Sequence, residues 1–248
     1  MSRCLVIFDT QADMELAGPS TAEAAFQSLL AGDLSDTALG GFDQNDLVIT
    51  FDEAAHPPGA RAFHLRWAGE GRGQDDSDRL IAPVGRPWRC APWPVADKVF
   101  STPPVATAAT ALVIAADDQR RRAVARELLG RGYAVRDRAE LTVEGLVEAH
   151  VVVVLADIVP VRVMAPLAAR RILVLVAPEP DFGLEPGIDH LLAPTDAEAI
   201  ELADAALATL EAYASVRAFG AITAAAHRAS IVYPRLMADL TWERAAGY

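Results

Sequence analysis

The sequence predicts an α/β protein with parallel sheets, a Rossmann-like layer in its second half and a helical C-terminal tail. Three observations predict it. Short apolar runs recur at 4–8, 111–115, 150–155 and 172–176, as strands covered on both faces do. Helix-patterned stretches alternate with them at the spacing of βαβ units. The first strand of each half runs out into an acid, Asp9 in one and Asp117 in the other.

The elements of the first half follow in order. Residues 4–8 read as a buried strand. Ser20 caps a helix expected over 21–31, with Glu23 at the capping-box spacing that satisfies free N–H groups at both ends of the pair. Ala22, Phe26, Leu29 and Leu30 form its apolar stripe, and Gly32 ends it. Strands are expected at 46–51 and 61–67. Gly69, Gly71 and Gly73 then lead into Asp75, Asp76 and Asp78, the composition of a solvated loop. Its carboxylates lack the ligand spacing of a calcium loop. Pro83, Pro87, Pro92, Pro94, Pro103 and Pro104 crowd the next stretch. Proline fixes φ and lacks the N–H, so 83–104 is expected as a linker on the surface, neither helix nor central strand. Residues 1–104 are therefore read as an N-terminal α/β domain.

The second half, 105–214, is the clearer Rossmann-like domain. A strand at 111–115 precedes a helix that Asp117 and Asp118 open, with Val124, Leu128 and Leu129 inward and Gly130 and Gly132 at its end. A short strand at 133–135, a short helix from Thr142 and a four-valine strand at 150–155 come next. A helix over 160–169, a strand at 172–176 and a short strand at 189–192 complete the layer. Thr195 and Glu198 form a second capping box, heading a helix to Tyr213. The tail, 215–248, carries Val216, Phe219, Ile222, Ala226, Ala229, Val232, Leu236 and Leu240 at helical spacing, with Pro234 kinking or restarting it. An apolar face on that last helix is the candidate surface for a homo- or hetero-oligomer.

Composition narrows the function. The 248 residues fit one large domain or two small ones. A net charge of −12 argues against nucleic acid and against an acidic membrane surface, since both need clustered Lys and Arg. No run approaches the roughly 18 apolar residues of a membrane span, no signal peptide is legible at the start, and cytoplasm is the default expectation. Cys4 and Cys90 are too few for a disulfide framework and read as reduced thiols. His56, His64, His150, His190 and His227 show no ligand spacing, so no metal site is expected. Trp88 and Trp93 read as anchors of the proline stretch, or as stacking platforms. Dinucleotide, Walker and nucleophile-elbow motifs are all missing, and no cofactor is implied.

In a parallel α/β sheet, ligands sit beyond the carboxyl ends of the strands. That rule nominates Asp9, Asp117, Asp118, Asp157, Glu179 and Asp181, with helix capping as the rival task for Asp117 and Asp118.

Two resemblances add to this reading. Asp46-Leu-Val-Ile-Thr, Pro94-Val-Ala-Asp-Lys-Val-Phe-Ser-Thr-Pro103, Pro166-Leu-Ala-Ala-Arg-Arg-Ile-Leu-Val-Leu and Phe182-Gly-Leu-Glu-Pro-Gly-Ile-Asp-His-Leu-Leu occur in an order that resembles the GT-B glycosyltransferases. The resemblance implies two Rossmann-like halves, the N-terminal one at 1–104 reduced, with a C-terminal helix crossing back, and a nucleotide sugar bound in an interdomain crevice near Asp157, Arg170, Arg171, Glu179 and Asp181. Arg170 or Arg171 would neutralise a diphosphate leaving group. Ala165 and Arg170 stand where that family has its Glu and Gly. An active protein would be a glycosyltransferase, although the resemblance singles out no catalytic residue. Residues 111–212 also look like a response-regulator receiver. Asp117 and Asp118 would be its acidic pair and Asp157 its phosphoacceptor, while Asp189-His-Leu-Leu-Ala-Pro194 matches the segment that ends in Lys-Pro. Ala193 occupies the Lys position. This alternative implies a non-catalytic regulatory or assembly subunit.

Overall fold

A computed structural model describes residues 4–8, 10–19, 26–30, 33, 47–50, 61–66, 80–83, 89–90, 93–105, 108–155, 160–176 and 184–245. The chain forms two compact units, one of Met1–Asp97 with His227–Tyr248, the other of Lys98–Ala226. Both are α/β layers with parallel strands, as the apolar runs predict.

The first unit holds a six-stranded sheet in the order β2-β1-β3-β4-β5-β6. Its strands are β1 (Cys4–Phe8), β2 (Phe26–Leu30), β3 (Leu47–Thr50), β4 (Arg61–Arg66), β5 (Leu80–Pro83) and β6 (Arg89–Cys90). The first four in that order run parallel, and β5 and β6 are antiparallel additions at one edge. β1 is buried throughout. Helix α1 (Gln11–Ala17) follows it, with the Thr10 hydroxyl accepting from the Asp13 N–H at 3.0 Å.

The region read as a helix over 21–31 is corrected. Phe26–Leu30 is a strand, paired in parallel with β1 from Cys4↔Phe26 to Phe8↔Leu30. A parallel pair needs a crossover of about a dozen residues or more, and here α1 supplies it. The free edge of the buried β1 therefore overrides the helical spacing of Phe26, Leu29 and Leu30. The Ser20–Glu23 pair, the glycine–aspartate loop and the Asp9 side chain lie outside the described residues.

The proline-rich stretch contains more structure than its composition suggests. β6 is an edge strand, where proline neighbours are tolerated. Trp93, Val95, Ala96 and Val99 are buried rather than laid on the surface, and Asp97–Phe100 forms the short helix α2. The Val95 N–H donates to the His227 carbonyl at 2.7 Å, and the Ala229 N–H donates to the Val95 carbonyl at 2.8 Å. Helix α8 (Ala229–Ala245) buries Val232, Tyr233 and Leu236. The Tyr233 hydroxyl donates to the Ala17 carbonyl at 2.6 Å, and its ring lies 5.5 Å from that of Phe26. Asp97 accepts from the Ser230 N–H at 2.9 Å, tying down the start of α8. Val232 and Leu236 of this apolar face, expected to serve an oligomer, are buried inside the first unit.

The second unit holds a five-stranded parallel sheet in the order β11-β10-β9-β7-β8. The strands are β7 (Thr110–Ile114), β8 (Ala134–Arg138), β9 (Val151–Leu155), β10 (Ile172–Val176) and β11 (Leu191–Ala193). Numbered within the unit, the order is 2-1-3-4-5, the flavodoxin-like doubly wound arrangement. Helices α3 (Asp118–Gly130) and α6 (Asp196–Ala208) bring Val124, Leu128, Ala199 and Ala203 against Val113, Val153 and Val174. Leu129, expected inward, is 52% exposed. Helices α4 (Val143–Glu148) and α5 (Pro160–Ala168) pack on the sheet as well, and α7 (Ala214–Ala224) packs on α5.

The inward stripe of α7 is Val216, Gly220 and Ala224, not the Val216–Phe219–Ile222 series that its spacing suggests. Phe219 and Ile222 are 50% and 68% exposed. A Cβ on Gly220 would come within 2.7 Å of the Asp189 carbonyl oxygen and 2.8 Å of a Leu167 methyl. Only glycine permits that close approach, and it fixes which face of α7 turns inward. Among the described residues, no helix is long and apolar enough to cross a membrane.

Candidate functional site

In the 2-1-3-4-5 order the strand direction of winding reverses between β7 and β9, which makes their carboxyl ends the natural crevice. Asp117 and Asp118 sit there, straight after β7. Asp117 is the N-cap of α3, its carboxylate accepting from the Arg120 N–H at 3.0 Å. Asp118 is ion-paired with Arg121 and, at 2.6 Å, with Arg122. Arg121 is buried, donates to the Ala115 carbonyl at 2.7 Å and lies 3.6 Å from Asp137. The carboxylate of Asp118 is therefore balanced by the chain's own arginines. Asp157, Glu179 and Asp181 lie outside the described residues.

Arg170 and Arg171 are not brought to that edge. Both precede β10, at the amino end of the sheet. A five-residue strand at ~3.3 Å per residue puts them more than ~13 Å from the carboxyl ends. Arg170 closes α5, with φ 57. The Arg171 N–H donates to the Pro166 carbonyl at 2.8 Å and the Arg170 N–H to the Leu167 carbonyl at 2.9 Å, the paired bonds of a Schellman cap whose left-handed position glycine normally fills. This is the position where the resembled glycosyltransferases carry glycine. Arg170→Gly is expected to stabilise the chain by about 0.5–1 kcal/mol, the left-handed penalty offset by glycine's larger unfolded-state entropy. A urea midpoint equal to or below wild type would refute it.

Arg171 is 4% exposed. Its Nε donates to the Leu146 carbonyl and its Nη2 to the Pro103 carbonyl, both at 2.7 Å. Leu146 lies in the last turn of α4, where carbonyls have no helical donor. The guanidinium thus ties α4 to the segment leading into β7. Burial, then the nearby Arg217 guanidinium, push its pKa down to about 10.

His190, just before β11, is fully buried, and neither ring nitrogen has a hydrogen-bond partner among the described residues. Burial lowers its pKa from 6.5, against the opposing pull of Asp189. A neutral imidazole in the folded state and a protonatable one in the unfolded state make stability fall with acid. The contribution is intact above 6.5, the unfolded value, and is lost as the pH drops below it toward the depressed folded value. His190→Leu is expected to flatten the stability profile below about pH 6.5 relative to wild type. Parallel profiles for the two proteins would rule this out. His150 shifts in the same direction, so the comparison is the difference between variant and wild type.

Sequence reasoning missed the task of Arg171, because its carbonyl partners are 25 and 68 residues away. It also left His190 as one of five histidines without ligand spacing. No group of three or more metal-ligating side chains occurs among the described residues.

No family model and no curated protein matches the sequence. Among solved structures, the chain is similar to the E. coli RcsC C-terminus (residues 700–949), which contains a linker region and a phosphoreceiver domain. The identity is 13%, over 84% of this chain and 93% of that one, with a TM-score of 0.31. A likeness of that size carries no functional argument, and the reading below rests on the geometry of this chain.

Proposed function

We propose that the chain is a non-catalytic regulatory or assembly protein whose second unit keeps a receiver-like layer without phosphoryl chemistry. The observation that carries this reading is the engagement of Asp117 and Asp118 after β7. Transfer of a phosphoryl group to an aspartate needs carboxylates free to hold a divalent cation, and a lysine to pair with the group transferred. Here Asp117 is spent on an N–H and Asp118 on two arginines. Ala193, at the Lys position of the resemblance, is fully buried within the core that α3 and α6 cover.

Acetyl phosphate with magnesium, read by intact mass, tests this directly. The expected result is no gain of a phosphoryl group. Stoichiometric phosphorylation that disappears in Asp157→Asn would sink the reading and restore a working receiver. Nucleotide-sugar binding draws no support from the described residues, since Arg170 and Arg171 are employed at the other end of the sheet. A panel of nucleotide sugars in a thermal unfolding assay checks that point. A saturable rise with one base would mean a ligand that binds only the folded chain and would favour the glycosyltransferase-like reading instead.

A further inference from the structure

Strand β8 forms one edge of the second unit's sheet and, among the described residues, pairs with β7 alone. Its register with β7 is continuous from Thr110↔Ala134 to Ile114↔Arg138, without a bulge. Edges are commonly closed to other chains by short length, a bulge or proline. The opposite edge, β11, is only three residues long, whereas β8 has five residues and no proline.

One bond fixes which way the backbone of β8 faces. The Ala115 N–H donates to the Arg138 carbonyl at 3.4 Å, so Arg138 turns its N–H and C=O toward β7. Arg136 and Ala134, at the same phase of the strand, do likewise. Val135 and Asp137 therefore point their N–H and C=O groups away from the sheet, where no described strand meets them. The side chains divide by face in the same alternation. Val135 packs against the core beneath α3, and Asp137 lies 3.6 Å from Arg121 of that helix. The other face carries Ala134, Arg136 and Arg138, all exposed. Arg136 reaches Glu148 at 3.1 Å, but both side chains are more than half exposed, and such a pair has little strength. Arg138 makes no ion pair among the described residues. In a chain of net charge −12, the open face of this edge is lined by cations.

We propose that the outer edge of β8 docks an extended acidic segment of a partner protein as an added parallel or antiparallel strand, with the partner's carboxylates at alternate positions beside Arg136 and Arg138. Main-chain bonds to Val135 and Asp137 hold the segment and the arginines select it, the division of labour of strand addition to an open edge. Cross-strand pairs of opposite charge favour the pairing and like pairs oppose it. Charge also disfavours a second copy of the chain in this place. An antiparallel self-pairing that used the outward groups of both Val135 and Asp137 would centre on Arg136 and set it opposite itself. The proposal holds whether or not phosphoryl transfer occurs at the carboxyl ends, and the two experiments fail separately.

The test titrates the full chain with a blocked peptide of alternating Glu and Thr, following the amide resonances and amide hydrogen exchange of Val135 and Asp137. Saturable shifts and slowed exchange are expected at both, because their outward N–H groups gain acceptors. The same peptide N-methylated at every backbone nitrogen keeps its carboxylates but loses its donors, and should not bind. A peptide with Lys in place of Glu should bind at least about tenfold more weakly. Arg138→Glu is expected to weaken binding of the Glu peptide by about fivefold or more, and Glu148→Gln, which frees Arg136, to tighten it by about twofold. Both substitutions fall on exposed side chains, so the peptide-free melting temperature should stay at the wild-type value. Absence of a saturable response at Val135 and Asp137, equal binding of the N-methylated or Lys peptide, or an unchanged affinity in Arg138→Glu would overturn the proposal.

Discussion

Arg171→Met should lower the stability of the second unit by about 2–4 kcal/mol, the cost of stranding carbonyls that lose a charged donor. The Leu146 carbonyl belongs to a fully buried residue and has little recourse to water, whereas Pro103 is exposed and its carbonyl can rehydrate. Removing a buried cation recovers part of its desolvation cost, which is why the estimate stays well under the sum of two lost bonds. Arg171→Lys should recover less than half of the loss, since an ammonium cannot present the planar fork that reaches both carbonyls. Urea unfolding followed by circular dichroism reads the effect. A shift worth less than about 1 kcal/mol would show that the guanidinium is a passenger.

Tyr233→Ala should destabilise the first unit by about 3–5 kcal/mol, because it empties a site at 0% exposure between α8 and the sheet. Tyr233→Phe isolates the hydroxyl and should cost about 1 kcal/mol, with the Ala17 carbonyl left without its donor. The chain supplies its own probe for telling the two units apart. Trp67, Trp88, Trp93 and Trp242 all belong to the first unit, by sequence and by its residue range. Tryptophan fluorescence should therefore follow Tyr233→Ala strongly and Arg171→Met weakly, while circular dichroism follows both. Equal fluorescence shifts for the two variants would mean that the units unfold as one.

The second unit was largely legible in the sequence. Strands such as Val151–Leu155 and Ile172–Val176 are apolar at every position because both faces are covered, the pattern of central strands in a parallel sheet. The caps at Asp117, Thr142 and Thr195 were legible because the bond each makes is local, three residues along the chain. The first unit was harder. Ser20 and Glu23 offered a local helix signal, but the pairing that makes Phe26–Leu30 a strand comes from β1, more than twenty residues earlier. The actual first helix carried a weaker local sign, Thr10 with Asp13. α7 misled in another way. Its apolar spacing pointed to Phe219 and Ile222, whereas the inward face is set by a glycine that lets a distant carbonyl approach. Arg171 could not have been read at all, since both of its acceptors are backbone atoms set by tertiary packing.

The first unit is assembled from both ends of the chain, with the second unit entire between them. On the ribosome the nascent sheet of residues 4–90 would therefore emerge long before α8, whose Tyr233 packs on Phe26, and before His227, whose carbonyl accepts from the Val95 N–H. The second unit, contiguous in sequence, has every partner it needs once Ala226 has left the exit tunnel. Vectorial synthesis thus reverses the order of the sequence: the later unit can reach its native state first, while the earlier one waits with Phe26 and Val95 unshielded. Contacts this distant along the chain slow folding, and exposed apolar surface during the wait invites aggregation or chaperone capture.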